Sequence, residues 1–546
     1  MSRPNFLFIS THDINPHLGT YAGIWPGAEQ ARTPNLDRLA AQGVRFDQAF
    51  SAAPICAPSR SAVFTGRYPI STGTMHMRSA AVPPADVELF SETLRRSGYY
   101  TTNNWFTDVN FDVPPTAFDD CSATAHWRDR PTRETPFFAA FHGMTTHESQ
   151  IYAPEERLQA ALAALSVEDR VRPEDVSLPP YHPDTESFRR AWSAYLNLIT
   201  VMDMWVGDLL SQLEEDGLAE ETIVIFWSDH GAGMPGAKRW ASEAGVRVPL
   251  IMRWPEHIEP GSVRSEVVEL QDLAATVLTM ADVQPAAPLE ATPLYDREGE
   301  VLEARKYAFS ARDRMVDDRD TSRTVRDERF RYTRHLHPDR PWMQYSHYPE
   351  RFATWRNLRE LRYQEAQLTG NGEQALLLTP PQRRLVDSHK EPEELFDILH
   401  DPHQTENLVG SPEHGAKLAE LSAALDQWME RTGDLGQLAE DALVETWGTG
   451  EYRPRAEAPR VRCEGGELTA EVSDPSVSIG WSYEPPGRRD PIPLEVILGQ
   501  RMTFEHPWNL YTGPITLTER TVWVRTWRLG YQPGLPVRLD VPSEAA

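Results

Sequence analysis

The stretch NFLFISTHD, Asn5 to Asp13, is an apolar run that ends abruptly in polar residues. Phe6, Leu7, Phe8 and Ile9 leave no polar face, the pattern of a strand buried on both sides of a sheet. Thr11, His12 and Asp13 fall at its carboxyl end. Two more segments repeat the arrangement. Phe137 to Phe141 runs into His142 and then His147, and TIVIFW (Thr222 to Trp227) runs into Ser228-Asp229-His230-Gly231. Val248 to Trp254 reads as a fourth apolar strand. Helices fall between them. Thr33-Pro34 opens one that Gly43 closes, and another runs from Leu89 to Arg96. A long one covers Glu186 to Glu215 with Leu196, Ile199, Met202, Val206 and Leu209 on one stripe. Strands alternating with helices predict an α/β fold with a mostly parallel sheet sandwiched by helices. Ligands of such sheets sit at the carboxyl ends of the strands. His12, Asp13, Asp229 and His230 therefore form a candidate divalent-metal site.

The chain has 546 residues, more than one core holds, and its texture divides it. Residues 1–305 read as the α/β domain and 306–440 as a smaller α+β subdomain. Residues 441–460, with Gly448, Gly450, Pro454 and Pro459, read as a linker. Residues 461–546 read as a β-sandwich appendage, with turns at EPPG (484–487) and YTGP (511–514). Trp508, Trp523 and Trp527 in it suit either a small core or a sugar or subunit surface, which leaves room for a homo-oligomer. A net charge of -27, from 54 basic and 81 acidic residues, speaks against nucleic acid and anionic membranes as partners. No apolar run reaches the roughly 18–20 residues of a membrane span. The opening apolar stretch is too short for a secretion signal, so a cytoplasmic location is expected. Cys56, Cys121 and Cys463 are too few and too scattered for a disulfide framework or a zinc–thiolate cluster.

Cys56 lies in ICAPSRSAVFTGRYP, Ile55 to Pro69. Pro58 can start a helix that ends near Gly66, which puts Cys56 at or just before a helix N-terminus. Backbone N–H groups there favour a thiolate or a bound anion, and Arg60 adds a fixed cation one turn on. The alternative is a buried structural cysteine.

Cys56-Ala57-Pro58-Ser59-Arg60 followed by Thr65-Gly66-Arg67-Tyr68-Pro69 resembles the signature of the type I sulfatases. The likeness extends over roughly residues 4–435, through TPNLDRLAAQGVRF, SLPPYHPDT, WSDHG, VRVPLIMRWP and EELFDILHDPHQTENL, and is nearest to bacterial sulfatases similar to heparan N-sulfatase (sulfamidase). The resemblance implies an alkaline-phosphatase-like fold. It implies that a separate maturation enzyme oxidises Cys56 to formylglycine, whose hydrate attacks sulfur beside a divalent metal, usually calcium. By position, Asp13, Asp229 and His230 match metal ligands. Arg60 matches the arginine that holds the formylglycine, His147 a histidine at the sulfate or leaving group, and Lys238 a sulfate-binding lysine. Two positions depart from the family. His12 stands where an aspartate is usual, which suits manganese or zinc better than calcium. Phe106 stands where the family has a sulfate-binding lysine, and Asp108 at a related histidine position. Arg78 or Arg239 could supply the missing cation. Arg239, His76, Arg78 and Arg312 are the candidate substrate contacts, with Arg314 and His347 as further ones. The expected function is hydrolysis of sulfate esters or sulfamates of a small or terminal sugar. A phosphonate monoesterase or phosphodiesterase, and a non-catalytic binding protein with unmodified Cys56, are the alternatives.

Overall fold

The computed structural model describes residues 3–370, 376–449, 451–486 and 508–540. Eight strands form the central sheet: β1 (Asn5–Thr11), β2 (Val44–Phe50), β3 (Tyr100–Asn104), β4 (Asp120–Cys121), β5 (Phe137–Gly143), β6 (Thr222–Ser228), β7 (Arg247–Arg253) and β8 (Ser262–Glu269). Their order is β4-β3-β5-β1-β6-β7-β2-β8. All neighbours are parallel except β7, which runs antiparallel to both β6 and β2. The segment between β6 and β7 holds one four-residue helix, Glu243–Val246. It has no long crossover helix to carry the chain back to the start of the sheet, so the next strand returns the opposite way.

Strand β1 is buried on both faces. Leu7 and Ile9 pack with the long helix Glu186–Glu215 through Leu196, Ile199, Met202 and Val206. Phe6 and Phe8 pack on the other face with Val63 and Phe64 of helix Cys56–Thr65. The sheet is thus covered by helices on both sides, with Cys56 delivered from the second.

A second, antiparallel sheet, β9 (Ala308–Arg312), β10 (Ser322–Arg326), β11 (Phe330–His335) and β12 (Glu393–Asp397), lies in the order β12-β11-β10-β9. Helix Gly415–Thr432 belongs to its core through Leu421, Leu425 and Trp428. The stretch read as a linker is corrected here. Its first part is the helix Glu440–Trp447, whose Leu443 and Trp447 are buried in that same core. Trp447 fits because position 73 is glycine, where a Cβ would stand 2.8 Å from its ring.

The last described strands form two small sheets: β13 (Arg460–Glu464), β14 (Glu467–Glu471) and β17 (Ile515–Thr516), then β15 (Ser478–Ser482), β16 (Asn509–Leu510), β18 (Thr521–Trp527) and β19 (Val537–Asp540). They share Leu468, Ile479, Leu517, Val522 and Val524 as a core. Trp508 meets the buried Trp527 edge-on at 4.8 Å, so both belong to packing. Gly487 of the EPPG turn lies outside the described residues.

Candidate active site

Strands β5, β1 and β6 are adjacent and in register at their carboxyl ends, where Thr11 pairs with both Gly143 and Ser228. The residues that follow therefore meet. Ile55 caps helix Cys56–Thr65 in an extended conformation and Gly66 ends it in the left-handed region at φ 64°. Cys56 is the first helical residue and Pro58 the third, so the helix begins two residues before the expected proline start. Its sulfur lies 3.2 Å from His230 Nε2, 3.6 Å from Lys238 Nζ and 3.9 Å from Asp13 Oδ1. Gly231 is required by crowding, since a Cβ there would sit 1.8 Å from the Ala244 carbonyl oxygen.

His12, Asp13, Cys56 and Asp229 each offer an atom within 4.8 Å of the others'. Asp229 Oδ1 accepts from the backbone N–H groups of Asp13 and His230 at 3.1 and 3.0 Å. His12 Nδ1 stands 2.9 Å from Asp229 Oδ2, while the buried His12 Nε2 has no hydrogen-bond partner among the described residues. His230 Nδ1 lies 2.9 Å from the Gly231 carbonyl, which fixes the ring as an Nδ1–H donor. Its Nε2 lone pair then faces Asp13 Oδ1 at 3.3 Å. Two electron-rich atoms this close need a proton or a cation between them. Both observations fit a divalent ion held by Asp13, Asp229, His12 and His230.

Lys238 is no surface lysine. It is 2% exposed, with Nζ 2.7 Å from Asp13 Oδ2 and 3.1 Å from Glu148 Oε1. Burial alone would lower its pKa, but Asp13, Cys56 and Glu148 raise it well above the ordinary value, so it stays charged. Glu148, not singled out in the sequence, also takes both Arg239 Nη atoms at 2.7–2.8 Å. That fork commits Arg239 to Glu148. His147 accepts from the Ser149 N–H through Nδ1, and its ring is 5.7 Å from that of His12. Burial and the charge of Lys238 hold its pKa down to about 4, so it is neutral at pH 7.

Arg60 is fully buried. It donates to the carbonyls of Thr107 and Phe106 at 2.8 and 3.2 Å and to Ser10 Oγ at 3.2 Å. It thereby pins the loop carrying Phe106, whose ring is 5.5 Å from that of His12. Asp108 pairs with Arg78 at 2.8 Å. His142 lies inside β5 and joins Ser10 Oγ to Asn103 Oδ1.

Four candidate contacts lie elsewhere. His76 is buried and accepts from the Arg314 N–H, and Arg314 itself forks onto Glu440. His347 is exposed, its N–H bonded to Asp317. Arg312 is corrected from a substrate contact to a structural ion pair: it is 1% exposed and held by Asp318 and Asp320. Breaking a buried pair from one side leaves uncompensated charge. Arg312→Met is expected to lower stability by about 3 kcal/mol, the low end because Lys390 still pairs with Asp320. Urea unfolding measures this.

Comparison with known proteins gives a consistent set. The Sulfatase family model matches residues 4–283, and the model for the N-sulphoglucosamine sulphohydrolase C-terminal region matches residues 236–346. An ulvan-active sulfatase of Formosa agariphila is 31% identical over 578 residues, covering 98% of this chain and 91% of that protein. The human N-acetylgalactosamine-6-sulfatase is 27% identical over 337 residues, covering 52% of this chain and 63% of its own. The phosphonate monoester hydrolase of Agrobacterium radiobacter shares the fold, with a TM-score of 0.57 at 16% identity over 79% of this chain and 96% of that one.

Proposed function

From its membership of the sulfatase family, as a sulfamidase-like sulfuric ester hydrolase, we propose that this chain removes sulfate from an ester or sulfamate of a saccharide, using formylglycine made from Cys56 and a divalent cation. The surroundings of Cys56 carry this reading. Burial pushes its thiol well above the ordinary range; Lys238 opposes this, and Asp229 and Asp13 add to it. What matters is position: the Cys56 side-chain atom lies within 4 Å of His230 Nε2, Lys238 Nζ and Asp13 Oδ1, so a nucleophile at residue 56 faces both the cation-binding cluster and the buried ammonium. Once oxidised, residue 56 supplies a hydrated aldehyde oxygen as nucleophile where Sγ now stands. Asp13, Asp229, His12 and His230 would hold a divalent ion, which would supply Lewis-acid polarisation of a sulfate oxygen.

The chain's own residues do the rest. Lys238 presents a fixed ammonium beside residue 56, to hold a sulfate oxygen and offset charge developing on the leaving group. Glu148 keeps that ammonium aimed, and Arg239 keeps Glu148 ionised. His147, whose Nδ1 accepts from the Ser149 N–H, carries its ring proton on Nε2 and can donate a hydrogen bond from there to a sulfate oxygen or to the leaving group. The human relative, named for a sulfated amino sugar, supports a saccharide as substrate.

The test is protein co-expressed with a maturation enzyme and assayed on an aryl sulfate, a sulfamate and a phosphonate monoester. Sulfate release is expected. Cleavage of the phosphonate alone would replace this reading with the phosphonate hydrolase one. Metal choice is a separate prediction. Imidazole at position 12 disfavours a hard oxygen-seeking ion. Metal-stripped protein reloaded with manganese or zinc should turn over faster than with calcium; a calcium optimum would remove His12 from the ligand set.

A further inference from the structure

Among the described residues nine non-glycine residues adopt positive φ, and four surround this site: Asp13 (55°), Arg78 (61°), Asp108 (43°) and Arg239 (84°). Such conformations cost about 1–3 kcal/mol each and persist only where the surroundings enforce them. The enforcement is visible for Arg78. Its N–H donates to Asn110 Oδ1 at 3.1 Å, and Asn110 Nδ2 binds the carbonyls of Thr74 and His76 at 2.7 and 2.6 Å. Asp108, 2% exposed in its side chain, grips Arg78 Nη1 at 2.8 Å. The buried end of this pair adjoins the site: Asp108 follows Thr107, whose carbonyl Arg60 holds, and Arg78 follows Met77, which packs with Ile55 and Ala57 on either side of Cys56. The other end is open, because the Arg78 side chain is 41% exposed.

Depth separates Arg78 from the sulfate-binding groups. Cys56, Lys238, Asp13 and Asp229 are all at most 2% exposed and form the floor. Arg78, in contrast, reaches solvent. Tyr348 of the C-terminal subdomain lies within electrostatic reach of Arg78, Arg239 and Lys238. Phe352 sets this ring at a 5.3 Å edge contact. A guanidinium held by one nitrogen keeps further donors for a planar or tetrahedral oxyanion.

We propose that Arg78, braced by Asp108 and Asn110, is a specificity residue that binds a second anionic group, carboxylate or sulfate, on the saccharide unit next to the one being desulfated. This rests on the saccharide sulfatase reading. It makes the substrate an acidic oligosaccharide rather than a singly charged sugar.

The test separates the two claims by using binding. Metal-loaded full-length protein with unmodified Cys56 is titrated calorimetrically with three disaccharides. They share a first ring and differ in the second, which carries a carboxylate, a neutral hydroxymethyl group or a sulfate ester. At least one charged ligand is expected to bind about tenfold more tightly than the neutral one, and which of the two does so identifies the group. Arg78→Gln should erase that preference and Arg78→Lys should retain part of it, since a point charge replaces the fork. Equal affinity for all three in the parent protein, or an unchanged preference in Arg78→Gln, overturns the proposal. Failure of matured protein to release sulfate from any substrate overturns the sulfatase reading instead, and leaves the binding result to stand on its own.

Discussion

Cys56→Ala should abolish sulfate release from an aryl sulfate, with kcat falling on the order of 10^4-fold or more, as for loss of any covalent nucleophile. The reasoning starts from position. Residue 56 is the first residue of a helix whose ten residues are all buried, and its side-chain atom is within 4 Å of His230, Lys238 and Asp13. Unfolding is not the cause to expect. Removing one sulfur from a site lined by polar groups is a small cavity change, about 1–2 kcal/mol. Asp13, Asp229, His12 and His230 remain, so calorimetric metal binding should persist in the variant. The companion observation is the mass of the peptide carrying Cys56 in active parent protein, which should show the thiol replaced by an aldehyde oxygen. Residual activity within tenfold of the parent, or a plain thiol in a fully active preparation, would sink the formylglycine reading and revive a binding protein or a different nucleophile.

The sheet was legible because β1, β5 and β6 are buried on both faces and leave continuous apolar runs in the sequence. The same logic hid β2 and β8. Both carry polar residues such as Asp47, Gln48, Arg264 and Glu266, and β2 is interrupted by a bulge between Phe46 and Ala49, so neither run is continuous. Helix Ala353–Gly370 escaped because its charged residues obscure an apolar stripe of which Trp355 and Leu358 are the buried part. For the site, strand ends pointed to His12, Asp13, Asp229 and His230, and the structure brings them together with Cys56. Glu148 had a signal that was passed over. It directly follows His147 at a strand end, and buried Lys238 needs a counter-charge there. Arg312 misled for the opposite reason. Arginine in a loop-rich stretch reads as exposed, and only the fold shows Asp318 and Asp320 closing around it. Tyr348 had no local signal at all, because its relation to Arg78 exists only once the second sheet has docked.

Lys238→Met should lower kcat by roughly 10^2–10^3-fold, the effect of losing one preorganised group aimed at transition-state charge. It should also destabilise the protein, and the two effects can be told apart. In the parent, the ammonium lies between Asp13 Oδ2 and Glu148 Oε1, both buried. Removing it leaves Glu148 paired with Arg239 but strips Asp13 of a counter-charge, a change worth about 3–5 kcal/mol for a buried pair broken from one side. A divalent ion at Asp13 and Asp229 would restore that charge balance. The variant should therefore regain much of its thermal stability on adding manganese or zinc, by more than the parent gains, while its kcat stays low. Lys238→Arg supplies the discriminating control. A planar guanidinium keeps the charge, and with it most of the stability, but its fork cannot present a point charge to Asp13, Glu148 and residue 56 together. Stability should recover more than activity. If Lys238→Arg instead restores both equally, or if metal restores the activity of Lys238→Met, then Lys238 serves only to balance Asp13, and the charge that assists sulfate departure must come from the metal and His147 alone.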